Sequence, residues 1–249
     1  MDDDQLRLMP DGRPLVRLLF FPATDCEILD TWRSIGLRGI GSHDYTVADV
    51  FVPAARSMSF REPPVEPGPL YAMPTIALFA PVLAAVGLGI TRHAIDILLE
   101  LARTKVASRS WQSLREDATM QASLGQGEAL LRSGRAFLYE TLGEAWAVVS
   151  AGQRLNVSKI ARLWLASTHA ATTAKQTMFT AGGSASPDES TGLERCMRDI
   201  HAVGQHLTLA SANYQMAGQA FLDLDMRSTP LLFMDDRSPS YVNATGIEP

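Results

Sequence analysis

The chain has 249 residues, 46% of them apolar and 20% charged, with a formal net charge of −5. This is enough for one large domain or two small ones with real cores, and it excludes disordered and fibrous classes. No long basic run is present, which argues against nucleic-acid partners, and the two distant cysteines, Cys26 and Cys196, lack the company that a zinc site needs and fit free thiols in a reducing, cytoplasmic setting.

The opening stretch MDDDQLRLMPDG is acidic and carries no apolar core of a secretory signal. Residues 15–52 read as strands: VRLLFFP and CEILD are short β-rich runs, and YTVADVFVP mixes alternation with β-branched residues. Between them GLRGIGSHD (36–44) predicts a tight, glycine-rich connection. Its glycines do not fit GxGxxG, and a strand follows where a helix would be needed, so it is not a nucleotide fingerprint. We expect residues 1–60 to form a β part, 61–74 a Pro-rich linker, 75–226 a helical bundle and 227–249 a C-terminal tail.

From Pro69 to Thr91 the chain carries no charge and is long enough to span a bilayer. Pro74 and Pro81 interrupt it, Pro81 suits a helix start, and an amphipathic continuation follows, so it reads as a buried helix with no membrane partner. Four helices are expected at about 80–104, 118–151, 155–180 and 192–225, joined by short breakers, which predicts an antiparallel four-helix bundle. In the last, Thr191 and Glu194 have capping-box spacing. Leu193, Ile200, Leu207, Tyr214 and Phe221 recur every seventh residue beside a small-residue row of Gly204, Ser211 and Gly218.

On such a continuous helix Asp199 and His206 fall on one border of the apolar stripe, and His201 on the other, about 140° from His206. The two histidines therefore cannot clasp one metal, and no HExxH pattern exists. Glu194 with Arg198, and Arg195 with Asp199, have spacing suited to ion pairs. These groups either edge a core helix or handle protons, for which an imidazole is the natural candidate near neutrality. The preceding loop MFTAGGSASPD places Gly182, Gly183 and Ser184 where bare backbone and a hydroxyl could meet a phosphate, though a glycine pair is also an ordinary helix stop. No nucleophile elbow, Walker loop or serine–histidine–acid order is present.

DTWRSIGLRGIGSHDYTVADVFVP (30–53), followed by a helical region containing AGGSA and LERCMRDIHAVGQH (181–206), resembles the acyl-CoA dehydrogenase-like superfamily. More closely it is similar to the flavin-dependent monooxygenase branch, the oxygenase components of two-component aromatic hydroxylases. The resemblance implies a mainly α fold: the end of a middle β domain followed by the C-terminal four-helix bundle, with the N-terminal helical domain of full-length relatives absent. It implies FMN or FAD, delivered reduced by a separate flavin reductase and used with O₂ on a small aromatic substrate, in a homo-oligomer, dimer or tetramer. It places His206 near flavin and substrate, either as a neutral base or as a hydrogen-bond partner of flavin-bound oxygen, and sets Gly182, Gly183 and Ser184 against flavin, with Arg109 and Gln121 reaching its phosphate or ring edges. Trp32 and the 36–42 turn read as structural. Ile40 departs from the small polar residue of many relatives. The bundle lacks the acid followed by Gly-Thr and the RxxFG motif of the dehydrogenases. An acyl-CoA desaturase is therefore the second reading, and a catalytically silent bundle serving only oligomerisation the third.

Overall fold

The computed structural model describes residues 7–8, 12, 14–60, 62, 64–106, 113–173 and 177–224, with 177 and 178 in backbone only. The expected tail at 227–249 lies outside these residues. In the β part, β1 (Leu18–Leu19) pairs antiparallel with β4 (Ser57–Met58), and β2 (Glu27–Leu29) pairs antiparallel with β3 (Asp44–Thr46). Strand is scarcer than expected over 15–52, and β4 lies beyond that span. The run YTVADVFVP leaves strand geometry after Thr46, because Asp49 takes a positive φ of 52° and Pro53 offers no backbone donor.

Helices follow: α1 (Pro69–Ala72), α2 (Thr75–Thr104), α3 (Ala118–Ser150), α4 (Val157–Thr172), α5 (Thr177–Ala181), α6 (Leu193–Val203) and α7 (Ala212–Phe221). Asp117 caps α3 by accepting from the Met120 N–H at 2.8 Å, and Asn156 caps α4 through the Lys159 N–H at 2.9 Å. Side-chain pairs give the directions. Arg162–Glu144 and the approach of Gly134 to Ala170 make α3 and α4 antiparallel. Gly87 facing Val203 and Gly192 facing Ile97 do the same for α2 and α6. The bundle is the mainly α, four-helix arrangement expected, with α6 and α7 together filling the fourth position.

α4 is the central element. Ile160, Leu163 and Trp164 are buried, and the two aliphatic side chains each contribute about 1.5–3 kcal/mol of transfer free energy. Close approach comes from glycine and alanine: a Cβ on Gly134 would stand 3.0 Å from the Ala170 Cα, and one on Gly87 would stand 3.5 Å from the Ala171 Cα. α2 is the one helix among the described residues long and apolar enough to cross a bilayer. Its Ala77, Ala80, Ala84 and Leu98 are nevertheless fully buried against its neighbours. Pro81 sits inside α2, which begins six residues earlier at Thr75, so it does not start the helix as its residue type suggested.

The expected helix at 192–225 is broken. α6 stops at Val203, a 3₁₀ turn spans Leu207–Leu209, and α7 starts at Ala212. The heptad row is broken with it: Leu193 and Ile200 are buried, but Leu207, Tyr214 and Phe221 are exposed. The small-residue row of Gly204, Ser211 and Gly218 is thus not a helix-packing seam. The cause is local competition for hydrogen bonds. Within 204–213, the His206 and Asn213 side chains take the N–H and the carbonyl of Thr208, backbone groups that a continuous helix would pair internally.

Candidate functional site

The polar residues of α6 serve first as a joint. Asp199 Oδ1 accepts the Leu37 N–H at 2.6 Å, and Arg198 Nη1 donates to the Ile35 carbonyl at 2.7 Å. Between these two bonds Gly36 is buried so tightly that a Cβ would overlap the Arg198 carbonyl group. Leu37 holds a left-handed φ of 52°, and its carbonyl accepts the Trp32 Nε1–H at 3.1 Å. The Trp32 N–H donates to His43 Nδ1 at 3.2 Å, so that nitrogen holds a lone pair and its 3.6 Å approach to Asp30 is not a charged bridge through Nδ1. Trp32 and the 36–42 turn are structural, as expected, and the two sequence signatures at 30–53 and 193–206 interlock.

The Thr191–Glu194 capping box does not form, because Gly192, at φ 77°, is the N-cap of α6. Thr191 Oγ1 instead donates towards the Ala185 and Asp188 carbonyls, while Glu194 turns to Arg198 at 2.6 and 3.0 Å. Asp199 bonds Leu37 in place of the expected ion pair with Arg195. Hydrogen bonds from Arg198 hold the Glu194 carboxyl below its ordinary range, and burial pushes the nearby Cys196 thiol up.

The glycine turn divides into two halves. A Cβ on Gly182 would collide with Ser186 and stand 2.7 Å from Leu193 Cδ1, so this glycine is packed by the protein itself. Ser186 is fully buried and donates to the Phe179 carbonyl. Gly183, by contrast, has a positive φ of 53° and nothing within 4 Å of its Cβ position. Gly183 and Ser184 are both exposed.

His206 is not helical. It is the extended N-cap of the 3₁₀ turn Leu207–Leu209, and its ring is exposed. The helical-wheel relation between Asp199 and His206 therefore does not exist in the folded chain. His206 Nδ1 lies 3.3 Å from the Thr208 nitrogen and 2.9 Å from Thr208 Oγ1. Asn213 Nδ2 donates to the Thr208 carbonyl at 2.8 Å and to Thr168 Oγ1 at 3.0 Å, tying this turn to α4. Among the described residues no hydrogen bond joins His206 to Gly182, Gly183 or Ser184. Exposed His201 is apart from them too, its Nδ1 lying 2.8 Å from the Met197 carbonyl.

Gln121 sits in the first turn of α3, where its Nε2 donates to the Arg115 carbonyl at 2.9 Å and leaves Oε1 as an acceptor. Arg109 lies outside the described residues. No group of histidines, cysteines and carboxylates among the described residues could hold a metal ion. The Thr208–Asn213–Thr168 network was missed from sequence. Its signal was the cluster of Gly204, Thr208, Ser211 and Asn213, an unusual density of turn-forming residues inside one apparent helix.

Comparison with known proteins sets this geometry in context. Residues 81–211 match the family described as acyl-CoA dehydrogenase, C-terminal domain. Over 214 residues the chain is 35% identical to indole-3-acetate monooxygenase of Pseudomonas putida, an overlap covering 85% of this chain and 55% of that protein. Over 247 residues it is 27% identical to the FADH2-dependent resorcinol hydroxylase, oxygenase component, of Rhizobium sp. (strain MTP-10005), covering 86% and 58%. In fold it matches XiaF from Streptomyces sp., solved in complex with FADH2 and glycerol, at a TM-score of 0.77 and 25% identity, covering 90% of this chain and 60% of that one. The chain spans between half and two thirds of the length of these relatives.

Proposed function

Because this chain belongs to the acyl-CoA dehydrogenase C-terminal domain family, we propose that it works in a flavin-dependent monooxygenase, as part of an oxygenase component that hydroxylates a small aromatic substrate. The carrying observation is the 35% identity to indole-3-acetate monooxygenase across 85% of the chain. The interlock of the two sequence signatures supports the same reading, since it keeps the β part and the bundle in one register.

The residues present fit a flavin in part. Gly183 has open space where a Cβ would stand, and beside it Ser184 offers an exposed hydroxyl. At Gly182 the side Cβ would occupy is filled by Ser186 and Leu193, which leaves its partly exposed backbone as the group to meet the flavin. Gln121, with one amide N–H given to the Arg115 carbonyl, keeps its second N–H and Oε1 for the cofactor. Arg109 is assigned to the flavin phosphate or ring edge by the family resemblance, its guanidinium being suited to a phosphate. When bound, reduced FMN or FAD supplies the electrons that activate O₂.

His206 is the residue assigned to the reacting centre. Its exposed ring needs a cover, which a further copy of the chain in a dimer or tetramer, or the additional length that the relatives carry, would provide. The partners this reading requires are a flavin reductase and the aromatic substrate, in the cytoplasm.

The test supplies enzymatically reduced FMN or FAD with ¹⁸O₂ and indole or a phenol. One labelled oxygen in the product is expected. His206→Ala should lose product formation while retaining flavin affinity. Failure to incorporate label with either flavin, or unchanged coupling of flavin oxidation to product in the variant, would reject respectively the activity and the role of His206.

A further inference from the structure

Which hydrogen-bonding face His206 turns to its ligand follows from how its other nitrogen is held. The backbone N–H of Thr208 points at Nδ1, at 3.3 Å. A backbone N–H is a donor in every state of the protein, whereas a hydroxyl can rotate to donate or accept. A proton on Nδ1 would therefore face a second proton head-on, while a lone pair there accepts both the N–H and the hydroxyl at 2.9 Å. A neutral imidazole with its lone pair on Nδ1 carries its proton on Nε2.

Thr208 has little freedom to adapt. It is 1% exposed, and its carbonyl is held by Asn213 Nδ2, whose amide also reaches Thr168 Oγ1. Asn213 and Thr168 are themselves 4% and 0% exposed. The orientation of the exposed ring is thus referred back to the buried face of α4. Among the described residues Nε2 has no hydrogen-bond partner.

We propose that Thr208 is a positioning residue that locks His206 in its Nε2–H form, so that His206 meets its ligand as a hydrogen-bond donor and not as a base. The ligand atom it takes is an oxygen carrying a lone pair or a negative charge. The inference rests on the monooxygenase reading for its place in catalysis, but the tautomer itself does not. Within that reading it removes one of two roles for His206: the ring does not withdraw a phenolic proton through Nε2.

The experiment is ¹⁵N NMR of imidazole-labelled protein at a pH where the ring is neutral, with His206 assigned from the His206→Gln spectrum. A peptide of residues 204–210 serves as the unstructured reference. The expected result is one tautomer with Nε2 protonated and Nδ1 hydrogen-bonded, distinct from the averaged signal of the peptide. Thr208→Val should keep the tautomer and move Nδ1 towards its unbonded value, and Thr208→Ser should restore it. In the ¹⁸O₂ assay, coupling should fall about 2- to 10-fold in Thr208→Val and recover in Thr208→Ser, the range expected for one hydrogen bond. A protonated Nδ1, or a tautomer average equal to that of the peptide, overturns the proposal. Because the NMR measurement uses no flavin, absence of ¹⁸O in product would count against the monooxygenase reading and leave the tautomer result standing.

Discussion

Gly36→Ala probes the joint between the β part and α6 at its tightest point. The φ of Gly36 is not positive, so alanine is permitted by the backbone, and the objection is purely steric. The added Cβ would overlap the Arg198 carbonyl and come within 2.8 Å of the Asp199 nitrogen. Both are helix backbone, so no side-chain rotation relieves the clash and the turn must withdraw. Withdrawal breaks the 2.6 Å bond from the Leu37 N–H to Asp199 and the 2.7 Å bond from Arg198 to the Ile35 carbonyl. Hydrogen bonds to charged groups contribute about 1.5–3 kcal/mol, and partial exposure places both at the lower end, giving a loss of about 2–4 kcal/mol. For a chain of this size each kcal/mol moves Tm by about 2–4 °C. Urea unfolding followed by circular dichroism, with calorimetry for Tm, measures the loss. Asp199→Ala removes one of the same bonds, so the double variant should exceed Gly36→Ala by no more than about 0.5 kcal/mol. Fully additive losses, or a Gly36→Ala protein within about 0.5 kcal/mol of wild type, would refute the interlock.

Asn213→Ala should cost about 2–4 kcal/mol in urea unfolding, because it strips the buried Thr208 carbonyl and Thr168 hydroxyl of a shared donor; a neutral substitution would show that the network is not held. Cys26 should alkylate ahead of Cys196 in the native protein, since burial raises the Cys196 thiol and thiolate forms there only at higher pH. Equal labelling rates by mass spectrometry would contradict that burial. Arg198 holds Glu194 below the ordinary glutamate value. The pair therefore stabilises above that value and loses its effect as pH falls through the lowered one. Glu194→Gln should flatten the acid limb of the Tm–pH curve, and a parallel curve would count against the pair.

The bundle was legible because its signal is redundant. In α2, alanine and leucine recur at helical spacing over eight turns, and Pro74 and Asp117 stand as the N-caps of α2 and α3. The joint at Gly36 was not legible, because its reason lies 162 residues away in the Arg198 carbonyl. Nothing in the sequence around Gly36 says which backbone approaches it. Asp199 misled for the same reason: Arg195 has the right spacing for a pair, yet the Leu37 N–H offers a donor already fixed in direction. Within the glycine turn, sequence could not separate Gly182 from its neighbour. The difference is the Ser186 and Leu193 side chains that close over one and leave Gly183 open.

The break at 204–211 carries the largest consequence for the site. In an unbroken helix the Thr208 N–H would bond the Gly204 carbonyl, and the His206 ring would lean back along the helix towards its preceding turn. Stopping α6 at Val203 frees that N–H and creates a demand for an acceptor, which His206 Nδ1 meets. The same side chain that satisfies the turn is thereby held by it, with only Nε2 left to engage anything else. The heptad pattern favours continuity here, the turn-forming Gly204, Thr208, Ser211 and Asn213 oppose it, and the chain departs from the heptad at the residue assigned to the chemistry. Such a departure, offset by a buried asparagine and two buried threonines, is what a site with a directional requirement costs a helical bundle.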